Sequence, residues 1–204
     1  ADIVALMARV LPKSKSLKSL SFNFLEFTPT DIDILAQSLS LCTSLRTLKF
    51  QAISLNKNEF QRLAQSLHHQ FVMNLSFKKC NLNDQIFDSF IELINAHTTI
   101  QKAAERKAEI QKKPIGLVCL SNLDLRGNNF SKKFVQSIVP VIDSAPVYRV
   151  DLRDNYLIPS TFRISPKIVV GATPQISSLS ITSSSSSSKR KTPSSAKRRK
   201  EREL

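Results

Sequence analysis

Two five-residue stretches of this 204-residue chain alternate charged or polar side chains with apolar ones: Asn122-Leu123-Asp124-Leu125-Arg126 and, 27 residues later, Arg149-Val150-Asp151-Leu152-Arg153. At a period of two, an extended strand turns the polar set to one face and the apolar set to the other. Guanidinium forks beside carboxylates on such a face can hold the carboxylates of a partner protein, or the charges can pair with one another along the sheet. Both readings stay open at this point. The same alternation upstream contributes Lys49 and Lys78, so the candidate partner-binding set is Lys49, Lys78, Asn122, Asp124, Arg126, Arg149, Asp151 and Arg153.

Catalytic chemistry has little support. No Gly-rich phosphate loop, GxSxG, HExxH or CxxC occurs anywhere in the chain. His68 and His69 fall at a predicted helix end, where a solvated or capping role is expected, and His97 has no cysteine or carboxylate at ligand spacing. Cys42, Cys80 and Cys119 sit in apolar surroundings without a basic partner, as core or bend residues do. The expectation is no enzyme, no cofactor and no metal site.

The elements that would position the charged face recur. Leu120-x-x-Leu123-x-Leu125-x-x-Asn128-x-Phe130 is the pattern LxxLxLxxNxL of a leucine-rich repeat, and Val147, Val150, Leu152, Asn155 and Leu157 occupy the same slots one repeat later. The Asn at each bend is expected to satisfy backbone groups that have no ladder partner. Upstream, Leu17, Leu20, Phe22 and Phe27 begin a unit whose helix buries Ile32, Leu35, Ala36 and Leu39. Leu45, Leu48, Phe50 and Leu55 lead to a helix with Phe60, Leu63, Ala64 and Leu67, and Val72, Leu75, Phe77, Cys80 and Leu82 lead to one with Phe87, Phe90, Ile91 and Ile94. Cys80 takes the Asn slot, while Leu25 and Ile53 take it in the first two units and should weaken those bends.

A unit cannot bury its apolar face alone, so the units must stack. The predicted fold is α/β: a curved leucine-rich repeat solenoid of the ribonuclease-inhibitor-like class, with a parallel β-sheet on the concave face and helices on the convex face. It is assigned residues 1–158, about five units, the first represented only by the helix of Ile3, Leu6, Met7 and Val10. That opening inside a helical pattern points to a segment upstream. The fourth strand comes 21 residues late, which marks an insertion at about 99–118. Its sequence QKAAERKAEIQKKP predicts a solvated, basic helical excursion from the convex side.

Residues 159–204 read as a disordered, Ser-rich basic tail. Nine Lys or Arg against two Glu give residues 166–204 a charge of +7, half of the chain's +14. Lys189, Arg190, Lys191, Lys197, Arg198, Arg199 and Lys200 suit a nuclear-import receptor, a nucleic acid or an acidic protein surface. Without aromatic residues beside them, they form no platform for stacking bases. Ser165 and Thr192, each before a proline, present proline-directed phosphorylation motifs. No apolar run reaches the ~18 residues of a membrane span, and the three cysteines suggest no disulfide framework, so an intracellular, soluble monomer is expected.

One combination is more specific. The segments LEFTPTDIDILAQSL, SLRTLKF and NLSFKKCNLND, then a Glu/Arg/Lys-rich insertion, then LSNLDLRGNNF and VDLRDNYL, resemble the repeat domain of the family of the centrosomal protein of 78 kDa over about residues 15–158. The resemblance implies a non-enzymatic scaffold of the centrosome, centriole or cilium base whose repeat domain docks another protein. That family continues into a coiled-coil region with no counterpart here. The alternative is a nuclear regulatory or enzyme-inhibitor repeat protein imported through the basic tail.

Overall fold

Strand, bend and helix alternate through the chain. The computed structural model describes residues 2–116, 118–162 and 165–172. In order these form α1 (Asp2–Val10), β1 (Ser19–Asn23), α2 (Pro29–Ser40), β2 (Thr47–Gln51), α3 (Lys57–Ser66), β3 (Asn74–Lys78), α4 (Phe87–Gln111), β4 (Asn122–Asp124), α5 (Lys132–Ser144), β5 (Arg149–Asp151) and β6 (Ile168–Val169). The six strands make one parallel sheet in sequence order. Helices supply the crossovers that parallel neighbours require from β1 through β5. Leu20, Leu48, Leu75, Leu123, Val150 and Ile168 are register partners across all six strands.

The apolar sides of strands and helices merge into a single core. Phe22, Phe50 and Phe77 stack along the sheet with ring centroids 5.3 and 5.2 Å apart. Each fully buried Leu or Phe contributes roughly 1.5 to 3 kcal/mol, so the repeated inward positions supply most of the driving force. Helix starts are set by side chains: Thr28 with Asp31 and Asn56 with Glu59 form reciprocal capping boxes, and the Ser131 hydroxyl accepts the Phe134 N–H.

The strands β1 to β5 leave the sheet by the same bend. Phe24, Ala52, Lys79, Gly127 and Asp154 all adopt left-handed φ values, between 53° and 67°. In each, the N–H donates to a carbonyl of the neighbouring unit, as from Lys79 to Arg126 at 2.9 Å and from Gly127 to Arg153 at 3.0 Å. The ladder therefore continues through a conformation that costs a non-glycine residue roughly 1 kcal/mol. The following slot completes the bend. Asn128 donates to the Phe77 and Leu125 carbonyls at 2.7 and 2.9 Å and accepts the Cys80 and Leu82 N–H groups at 2.9 and 3.1 Å. Asn155 donates likewise to Leu125 and Leu152 and accepts from Phe130. Cys80 keeps only the donor half of this role: its thiol, pushed up to about 12 by burial, donates to Phe50 and Lys78 carbonyls. Ile53 fills the slot with a buried apolar side chain instead.

The insertion is a continuation rather than a separate excursion. α4 runs for 25 residues through it without a break, ending at a left-handed Lys112. Its basic residues and Ile110 are exposed, but two of its polar side chains are buried and hold the returning chain. His97 Nδ1 accepts the Leu120 N–H at 3.2 Å, and Gln101 Oε1 accepts the Val118 N–H at 3.0 Å. These residues lie one helical turn apart on one face, so together they aim the chain into β4. Burial pushes the His97 imidazole down to about 4, outweighing a hydrogen bond to the Leu67 backbone.

Regular structure continues past residue 158, the boundary expected from sequence. One compact unit comprises Ala1–Thr173, and β6 pairs with β5. The reason lies at the C-terminal end of α5, where Lys167 Nζ donates to the carbonyls of Ile142, Asp143 and Ala145 at 2.8 to 3.1 Å. Of these carbonyls only that of Ile142 also accepts a helix-closing N–H, from Ala145 at 3.3 Å, and the ammonium caps the group. Ile158, rather than the expected Leu157, is the buried residue after the last bend, because the chain turns into Pro159 instead of entering a helix.

Two outcomes follow from these contacts. Asn128→Ala strips four hydrogen bonds from buried backbone groups and is expected to lower stability by about 3 kcal/mol, read as a shift of the urea midpoint. His97 titrates at about 4 in the folded chain and at ~6.5 when unfolded. Its contribution is complete above pH ~6.5 and is lost as pH falls toward 4, by up to about 3 kcal/mol. Urea midpoints compared between pH 7.5 and 4.5 should fall less steeply for His97→Gln than for the natural chain.

Candidate functional site

Opposite the helices, the sheet shows the alternate residues that the register dictates. One row is Ser19, Thr47, Asn74, Asn122 and Arg149, and the next is Ser21, Lys49, Ser76, Asp124 and Asp151. Lys78 closes β3, and in line with it, just beyond the ends of β4 and β5, lie Arg126 and Arg153, kept there by the bend hydrogen bonds described above. A cavity of about 460 Å³ opens on this face, lined mainly by polar and charged side chains from β2 to β5. Its floor includes Ser76 and Asp151, both buried.

The arginines are anchored by the aspartates between them. Arg126 grips Asp124 with two bonds, Nε to Oδ1 and Nη2 to Oδ2, each 2.8 Å. Arg153 grips Asp151 in the same way at 2.9 and 2.7 Å, and Arg149 Nη2 reaches Asp151 Oδ2 at 3.0 Å. Arg126 Nε also lies 4.0 Å from Asp151 Oδ2, so three guanidinium groups converge on one carboxylate that is 6% exposed. Burial alone would raise the Asp151 carboxyl, but bonds from the Arg153 side chain and backbone and from Arg149 hold it below the usual carboxylate range. The side chain of Asp124 holds Arg126 further above its ordinary value.

Pairing along the sheet is thus present, and it sorts the sequence-nominated residues into two groups. Asp124, Arg126, Arg149, Asp151 and Arg153 form one connected network. Asn122 stands beside it, donating to Asn74 Oδ1 at 2.9 Å, and Asn74 in turn donates to Thr47 Oγ1 at 3.3 Å. Lys49 and Lys78 make no ion pair with any described residue. Ser76, not nominated from sequence, forms the floor between Lys49 and Asp124; the signal was a small residue between two charged ones in the same row.

Ser165, expected as a phosphorylation site, is held inside the fold. Its hydroxyl donates to Asp143 Oδ1 at 2.6 Å and accepts the Lys167 N–H, and the residue is buried. The hydroxyl is committed to the turn that places Lys167. Thr192 and the basic residues Lys189, Arg190, Lys191, Lys197, Arg198, Arg199 and Lys200 lie outside the described residues.

His68 and His97 are neighbours near the end of α3, where burial lowers both below the ordinary imidazole value. Among the described residues, no group of three or more His, Cys, Asp or Glu side chains could hold a metal ion. No protein-family model matches the chain, and no curated protein does.

The network predicts unequal effects on stability. Asp151→Ala leaves three converging arginines without their shared carboxylate and should cost about 2 to 3 kcal/mol, whereas Lys49→Ala should change stability by no more than about 0.5 kcal/mol. Thermal or urea denaturation of the two variants checks the contrast.

Proposed function

We propose that the chain is a leucine-rich repeat solenoid acting as a non-enzymatic scaffold, whose concave sheet face docks a protein partner. The observation that carries this reading is the continuous polar face opposite the helices, with four strands contributing to one open cavity. Four cations line that cavity against two carboxylates, Asp124 and Asp151, so its field favours an electronegative partner surface. The aspartates hold the arginines in fixed orientations, which lowers the ordering cost of binding.

The setting proposed is the centrosome, centriole or cilium base. Its support is the resemblance in sequence, above all the charged insertion that follows Phe77-Lys78-Lys79-Cys80-Asn81-Leu82. A second reading, a nuclear regulatory or inhibitor protein, is favoured by the basic cluster Lys197 to Lys200, which suits an import receptor.

Arg149 and Lys49 stand at opposite ends of the cavity with exposed side chains, so both can be reversed without breaking the Arg153 and Arg126 contacts. A tagged chain carrying Arg149→Glu and Lys49→Glu should fold normally by circular dichroism and lose recruitment to centrioles in cells. Unchanged recruitment rejects face-mediated docking. Nuclear fluorescence without centriolar puncta, abolished by deletion of residues 186–204, would transfer the assignment to the second reading.

A further inference from the structure

Among the five basic side chains on this face, Arg126, Arg149 and Arg153 are bonded to Asp124 or Asp151, while Lys49 and Lys78 have no acidic partner among the described residues. These two lysines lie on adjacent strands. Lys49 pairs in register with Ser76, and Lys78 follows two positions further along β3. With parallel strands about 4.8 Å apart and about 6.6 Å between alternate residues, their Cα positions are about 8 Å apart. Ser76 between them is small and 9% exposed, with its other register partner Asp124 on β4. Lys49 and Asp124 therefore stand about 9.5 Å apart, two strand spacings, with only a hydroxyl filling the floor of the cavity between them.

We infer that Lys49 and Lys78, with Ser76 between them, are the seat for a short acidic segment of the partner polypeptide. This rests on the docking function proposed above and names the chemistry of its partner. In an extended segment, side chains two residues apart point the same way and are about 6.6 to 6.8 Å apart, within reach of two flexible lysine side chains rooted about 8 Å apart. Two acidic residues in an Asp/Glu-x-Asp/Glu arrangement can place one carboxylate at each ammonium. The first carboxylate lies over Ser76, whose hydroxyl can donate to it.

The rest of the face limits what else fits. Asp124 and Asp151 form the far wall, so an acidic run that continued toward β5 would meet two carboxylates. A phosphate backbone crossing all the strands meets the same repulsion. No aromatic side chain lines the cavity for a base to stack upon. A compact pair of carboxylates confined to β2 and β3 meets both free cations and borders only Asp124, whose charge is held by Arg126.

The test uses the full chain with the eight basic residues of 186–204 (Lys189, Arg190, Lys191, Lys197, Arg198, Arg199, Lys200 and Arg202) changed to Gln, so that the tail does not capture the probe. The probe is a fluorescein-labelled decapeptide of alternating glutamate and glycine, followed by fluorescence anisotropy at about 50 mM and about 300 mM salt. Binding is expected at low salt. It should weaken at least tenfold with Lys49→Glu plus Lys78→Glu, weaken with Ser76→Leu, which fills the floor, and persist with Lys49→Arg plus Lys78→Arg. A matching lysine and glycine peptide should not bind. Two results overturn the inference: no binding of the acidic peptide to the tail-neutralised chain, or equal binding by the Lys49→Glu, Lys78→Glu variant. If either occurs while Arg149→Glu plus Lys49→Glu still abolishes recruitment in cells, the acidic chemistry fails and docking by this face stands. If recruitment is also unaffected, both fail.

Discussion

Parallel strands that end side by side leave a column of backbone groups with no ladder partner, and the fold depends on how that column is satisfied. Here each of β1 to β5 turns through a left-handed residue whose N–H still reaches the neighbouring unit, and the next side chain closes the turn. Asn128 and Asn155 have both a donor and an acceptor at the right reach. Cys80 supplies only a donor, and Ile53 supplies neither but packs into the core. The gradient along the chain shows two solutions to one constraint, polar satisfaction at the later units and apolar burial at the earlier ones.

Because the bends are aligned, the face opposite the helices is aligned as well. Side chains two residues apart on one strand and in register on the next are forced into contact, and this couples Asp124, Arg126, Arg149, Asp151 and Arg153. The same geometry leaves Lys49 and Lys78 beside serine, threonine and glutamine positions, where nothing neutralises them. Fixed guanidinium groups thus line one end of the cavity and the Lys49 ammonium the other, with Lys78 outside its lining on the same face. The first end is held rigid by its internal bonds, and the second end has charge to offer a partner.

The insertion uses the helix already present. Extending α4 costs little in a sequence of strong helix formers, but it displaces the chain from the sheet and the return must be aimed. His97 and Gln101 do this from the buried face of the helix, each accepting one N–H of the returning segment. Lys167 and Ser165 perform a similar task at the end of α5, which is how a segment with tail-like composition comes to supply the sixth strand.

The 27 to 28 residue spacing was sufficient in sequence to place five strands, their register and the rows of side chains on each face, because period-two alternation and a recurring bend are local properties. The Asn128 and Asn155 bends and the helical character of the insertion were legible for the same reason, but not that it prolongs α4 without a break. What only the tertiary structure decided was pairing. Whether Arg126 is available or bonded, whether His97 is solvated or buried against Leu120, and whether Ser165 is open or closed beneath α5 all depend on groups 2 to 23 residues away in sequence that adjoin only after folding. Periodicity fixes where a side chain points; only the packed chain fixes what it meets there.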